Sequence, residues 1–98
     1  MDKFTEVSLN TLRRDGTAQL RRQCQNSAVV IGAKAYGRIL IVKPITWLEA
    51  PTSGTTVSWT QFRSASVGTL LDWRKPIVVL VYGRPEFVVE QWTDDTDS

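Results

Sequence analysis

The strongest constraint on this chain is that its first half and its second half spell the same order of elements. Thr5-Glu6-Val7-Ser8, followed by Arg13 and Leu20, recurs fifty positions on as Thr55-Thr56-Val57-Ser58, followed by Arg63 and Leu70. Each stretch leads into an apolar run, a Tyr-Gly-Arg triplet (Tyr36-Gly37-Arg38 and Tyr82-Gly83-Arg84) and a second apolar run. Internal repetition fixes the unit that must fold, so it outranks local signals. Neither half, at about fifty residues, would bury much apolar surface by itself. Two halves sharing one core would, and the 98 residues amount to one domain. Two copies of one unit in one chain suggest a fused dimer with a twofold axis, a surface suited to twofold partners such as duplex DNA.

The spacing predicts five elements per copy. Phe4 to Ser8 and Thr55 to Trp59 alternate apolar and polar residues and open each copy as a strand. Asn10 and Thr60 then stand as helix N-caps. Leu12, Gly16, Gln19, Leu20 and Cys24 form a helical stripe in the first copy, matched by Phe62, Ala65, Val67, Leu70, Leu71 and Trp73 in the second. Gly16 and Gly68 mark bends between two short helices. Ala28-Val29-Val30-Ile31 and Ile77-Val78-Val79-Leu80-Val81 are β-branched runs, hence strands. The Tyr-Gly-Arg triplets are hairpin turns in which glycine supplies a positive φ, with return strands at Ile39-Leu40-Ile41-Val42 and Glu86-Phe87-Val88-Val89. Pro44 to Glu49 reads as one helical turn, and Pro51-Thr52-Ser53-Gly54 as a linker.

The expected organisation is therefore α+β: a first β-α-α-β-β repeat in 1–50, a linker at 51–54, a second repeat in 55–93 and an acidic frayed tail at 94–98. The two repeats are expected to form one domain, a single-chain pseudo-dimer with a shared antiparallel sheet. The register is fifty up to Leu20 and Leu70 but forty-six at the triplets, which assigns the longer loops to the first copy.

Composition narrows the function classes. Histidine is absent and Cys24 stands alone, which argues against zinc, against a disulfide framework and against a Ser-His or Cys-His hydrolase. No enzyme, cofactor or metal site is expected. No run is long enough to span a bilayer, no signal-peptide h-region opens the chain, and the lone cysteine fits a reducing cytoplasm. Residues 1–50 carry eight basic against four acidic side chains, a balance of +4, whereas residues 51–98 carry four against six, a balance of −2. Attraction to phosphates is thus expected to centre on the first repeat. Trp47, Trp59, Trp73 and Trp92 are not interleaved with basic residues, so packing is expected of them rather than base stacking.

Val7-Ser8-Leu9-Asn10-Thr11-Leu12-Arg13-Arg14 with Val29-Val30-Ile31 and Gly37-Arg38-Ile39-Leu40-Ile41-Val42 resembles the Phd/YefM antitoxin family. So does Val57-Ser58-Trp59-Thr60-Gln61-Phe62-Arg63 with Ile77-Val78-Val79-Leu80 and Gly83 to Val89. In that family an N-terminal half dimerises through a shared sheet and binds operator DNA, and a flexible tail neutralises a toxin. The resemblance implies a YefM-like fold present twice. It also implies sequence-specific binding of double-stranded DNA by a small transcriptional regulator or antitoxin-like repressor. Six residues follow Trp92, too few to wrap a toxin, so only the DNA-binding half of the family's role is expected to carry over.

The family's DNA-contacting arginine near the first helix start corresponds to Arg13 and Arg63. An arginine there can reach a base edge or backbone beside free helix amides; a solvated helix face is the alternative. Asn10 and Thr60, at the same helix starts, complete the expected contacts. Arg14, with Arg21 and Arg22, either widens the basic patch or forms an exposed flank. Arg38, Arg84 and Lys34, at the hairpins, are candidate phosphate contacts or solvated charges. The competing class is a protein-interaction module, an antitoxin-derived fold that binds a toxin or host protein through a sheet edge or a Trp-bearing surface. Either function could be served by a monomer acting as a pseudo-dimer or by a further homodimer.

Overall fold

A computed structural model describes residues 4–45 and 51–93. In chain order the elements are β1 (Phe4–Ser8), α1 (Leu9–Gln23), β2 (Ala28–Ala33), β3 (Gly37–Pro44), β4 (Thr55–Ser58), α2 (Trp59–Ser64), α3 (Val67–Asp72), β5 (Ile77–Val81) and β6 (Arg84–Gln91). The chain is α+β, and its strands form one six-stranded mixed sheet in the order β1-β2-β3-β6-β5-β4. β1 pairs parallel with β2 and β4 parallel with β5, while β2·β3, β5·β6 and the central β3·β6 pairs are antiparallel. The expectation of an antiparallel sheet is corrected here. A helical crossover returns the chain to the end from which it set out, so the strands it joins run parallel.

Local chemistry explains where the helices begin. Ser8 and Ser58 are the N-caps, not Asn10 and Thr60. Both are extended in φ and ψ, and their hydroxyls accept from Thr11 N and Gln61 N, each at 3.1 Å. Gln61 Oε1 accepts from Ser58 N at 2.9 Å, completing a capping box. α1 breaks at Gly16, whose φ of 81° and ψ of −173° suit only glycine. In the second half the break lies at Ala65-Ser66, both extended, and Gly68 sits within α3. Ser66 caps α3, and Lys75 Nζ closes it by donating to the carbonyls of Leu70 (2.7 Å) and Leu71 (2.8 Å).

The helices cover one face of the sheet. Leu9, Leu12, Leu20, Cys24, Phe62 and Leu70 pack on Val29, Ile31, Leu40, Val42, Ile77, Val79, Phe87 and Val89, all buried. Fully burying side chains of this size contributes about 1.5–3 kcal/mol each. The opposite face carries a smaller cluster of Ala28, Val30, Ile41 and Trp92 with Phe4 against it. Trp92 meets Phe4 edge-on at 5.5 Å, which makes it the packing residue expected. Trp47 and most of the helical turn expected after Pro44 lie outside the described residues, and Pro44 itself ends β3.

Both hairpins need left-handed backbone. The β5–β6 loop is Tyr82-Gly83, with φ of 52° and 78°, as a two-residue I′-type hairpin requires. The β2–β3 loop is one residue longer, Lys34-Ala35-Tyr36, with Ala35 at φ 80° and Gly37 at φ 75°. Each hairpin carries a bulge, at Ile31/Gly32 and at Val79/Leu80.

Candidate nucleic-acid interface

Because α1 and α2 meet on the sheet, the arginines expected at the two helix starts come together. Arg13 Nη2 donates to the carbonyl of Ala65, where α2 ends, and Arg63 Nη2 donates to the carbonyl of Arg13 at 2.7 Å. Each guanidinium thus closes on the other half's backbone. Arg13 is half-buried, and its Nε lies out of solvent with no hydrogen-bond partner among the described residues. Arg63 is exposed. Both side chains hold the helix contact as well as carrying charge, a role the sequence reading did not assign.

Two clefts lie at the starts of α1 and α2, and most of their lining corresponds, except that Arg13 lines the first whereas Arg63 does not line the second. The first, about 240 Å³, is lined by Ser8, Leu9, Asn10, Arg13, Gly32, Ala33, Lys34 and, from α3, Val67. The second, about 410 Å³, is lined by Ser58, Trp59, Thr60, Leu80, Val81, Tyr82, Gly83 and, from α1, Thr17. Each joins an N-cap serine and the two residues after it to the end of a strand and the first residue of its hairpin loop. Each then takes one residue from the start of a second helical segment in the other half. Asn10 stands where Thr60 does, and Lys34 where Tyr82 does. The Tyr-Gly-Arg triplets put Tyr36 level with Tyr82, but Tyr36 is the third residue of its loop whereas Tyr82 is the first of its own.

The structure therefore gathers Asn10, Arg13 and Lys34 in one cleft and Thr60 in the other. Lys34 is exposed and has no ion pair among the described residues. The remaining candidates are elsewhere. Arg14 is exposed beside Asp15 (3.5 Å). Arg38 bonds Glu6 at 3.1 Å and lies over the rings of Phe4 (5.1 Å) and Trp92 (5.3 Å), on the face of the sheet opposite the helices. Arg84 is exposed at the start of β6. Arg21, exposed, forms a two-pronged pair with Glu86, which raises its pKa through the hydrogen bond to that carboxylate. Such pairs shorten the list of charges free for phosphate.

Sequence reasoning missed Tyr82, Thr17 and Val67. Tyr82 had a signal: a bulky residue before glycine in a two-residue hairpin occupies a place that usually goes to Asn, Asp or Gly. It is 98% exposed. Thr17 and Val67 had none, because they reach their clefts only through the packing of one half on the other.

No family model, curated protein or solved structure matches this chain. Among the described residues no helix is long and apolar enough to cross a membrane.

Proposed function

We propose that the chain is a sequence-specific double-stranded DNA-binding protein, a small repressor-like regulator in which two Phd/YefM-like units form a single-chain pseudo-dimer. The observation that carries this reading is the register of the central strands. Val42 faces Val89, Leu40 faces Gln91 and Pro44 faces Phe87. If Val42 and Val89 are equivalent, Leu40 becomes the counterpart of Phe87 and Pro44 that of Gln91. The outer pairings support that equivalence, since Thr5 pairs with Val29 and Val29 with Val42 in the first half as Thr55 pairs with Ile77 and Ile77 with Val89 in the second. A facing pair of equivalent valines fits a twofold axis between them. The parallel pairs β1·β2 and β4·β5 at the two edges and the crossed lining of the two clefts fit the same axis.

A twofold surface suits duplex DNA because the backbone of the duplex repeats about its own dyads. Affinity would come mainly from phosphate neutralisation near Arg13, Arg63 and Lys34, with half-site preference from the clefts. Fluorescence anisotropy with a labelled duplex from the chain's own upstream region tests this, read at several salt concentrations. The expected result is binding that competitor DNA of unrelated sequence does not displace, that weakens steeply with salt, and that Lys34→Ala and Arg63→Ala each weaken. Equal affinity for both duplexes, or no effect of either substitution, would remove the reading.

A further inference from the structure

We propose that the two clefts recognise unlike half-sites, so that the preferred DNA site is not a palindrome. The first would read purine edges through Asn10 and Lys34, and the second thymine methyl groups through Thr60 and Tyr82. The inference rests on the duplex-DNA reading above and deepens it.

Three observations bear on it. The clefts are assembled from the same kinds of element, a capped helix start and a strand end with its hairpin, but they differ in loop length and in the side chains that project from them. Lys34 and Tyr82 are each the first residue of their hairpin loop and line their own clefts. Asn10 and Thr60 each stand two residues after the N-cap serine, exposed. Secondly, the chemistries are complementary to different base edges. An amide donates to and accepts from adenine in the major groove, an ammonium donates to the guanine O6 and N7, and a phenol ring and a threonine methyl meet the thymine methyl. Thirdly, Tyr82 combines near-complete exposure with a φ of 52°. A large aromatic held in the left-handed region at a hairpin tip is costly both in hydration and in backbone, and such positions cluster where a ligand is met.

The test is selection from a randomised 30-base-pair duplex library, run in parallel with wild type and with the Thr60→Asn/Tyr82→Lys double variant. Both side chains are exposed, so the variant is expected to melt like wild type. Wild type should enrich a site with unlike halves, one purine-rich and one rich in thymine along the contacted strand. The double variant, with an asparagine and a lysine at both clefts, should enrich a palindrome of the purine-rich half. It should also prefer that palindrome over the wild-type site by at least about fivefold, the lower bound for one good base contact. A palindrome selected by wild type, or an unchanged site selected by the variant, would overturn the inference while leaving duplex binding intact. Failure of wild type to enrich any sequence would remove the duplex-DNA reading and this inference with it.

Discussion

Arg13 offers the sharpest check on the energetics of this fold, because one side chain both makes a valuable bond and leaves a nitrogen stranded. Consider Arg13→Met, which keeps an apolar stem in the groove and removes the guanidinium. The charge-assisted bond from Nη2 to the carbonyl of Ala65 is worth about 1.5–3 kcal/mol. Nε is buried without a partner among the described residues, and removing a desolvated donor of that kind returns about 1 kcal/mol. The net loss is then about 1.5 kcal/mol. With a urea dependence of about 1.5 kcal/mol per molar, the midpoint should fall by about 1 M. Arg63→Ala removes a single exposed bond and should lower the midpoint by less than about 0.5 M. The acceptor for Arg63 is the backbone oxygen of Arg13, which survives the substitution at that position. The double variant should therefore be additive to within about 0.5 kcal/mol. A midpoint for Arg13→Met within about 0.3 M of wild type would refute the account of the bond. A coupling above about 1 kcal/mol would show that the two guanidinium groups act as one unit.

Four further outcomes are expected. Gly54→Ala should cost at least about 3 kcal/mol in urea unfolding: φ is 96° there, and a Cβ would fall 2.0 Å from the Pro76 carbonyl that accepts from Thr55 N. Gly37→Ala, with nothing within 4 Å of the added carbon, should cost only the left-handed penalty of about 1–2 kcal/mol. Trp92→Ala should cost about 3 kcal/mol by loss of its buried edge contact with Phe4, whereas Arg38→Ala, exposed over the same rings, should cost under about 1 kcal/mol in thermal melts. Burial first, then the nearby charge of Glu86, pushes the Cys24 thiol up to about 11 from 9.0. The unfolded chain therefore releases its thiol proton before the folded one does, and stability falls as pH rises from about 9 through 11. Wild type should lose stability relative to Cys24→Ala across that window, and a thiol reagent at pH 8 should react slowly until urea is added.

What the sequence alone makes legible is the part written in local chemistry. Ile77 to Val81 and Val29 to Ile31 are β-branched runs too apolar for an exposed position, and both are buried strands. Gly37 and Gly83 sit at positive φ where the triplets required it. The cap at Ser58 was also legible, since Ser58 and Gln61 spell a capping box, but Thr60 competed for the role. The parallel edges could have been deduced from the helices between β1 and β2 and between β4 and β5. The bonds from Arg13 to Ala65 and from Arg63 to Arg13, and the reach of Thr17 and Val67 into the opposite clefts, depend on contacts across some fifty residues of chain that no window of sequence contains.

The pattern of likeness and difference between the halves has a physical logic on the pseudo-dimer reading. Features that the backbone demands appear twice: a serine cap, a break in the helical segment, a bulge, a positive-φ hairpin and a central valine. Features that meet solvent diverge, with Asn10, Arg14, Arg22 and Lys34 in one half answering to Thr60, Ser64, Asp72 and Tyr82 in the other. Two identical chains could not separate these demands, because any change at a surface position appears at both sites at once. Covalent joining lifts that restriction while leaving the shared sheet intact. The first half can then supply the attraction to phosphate, and the second can give up charge for a more apolar contact. On that reading the first half would carry the surplus of charge, +4 over residues 1–50 against +1 over residues 55–93, where four basic side chains meet three acidic ones.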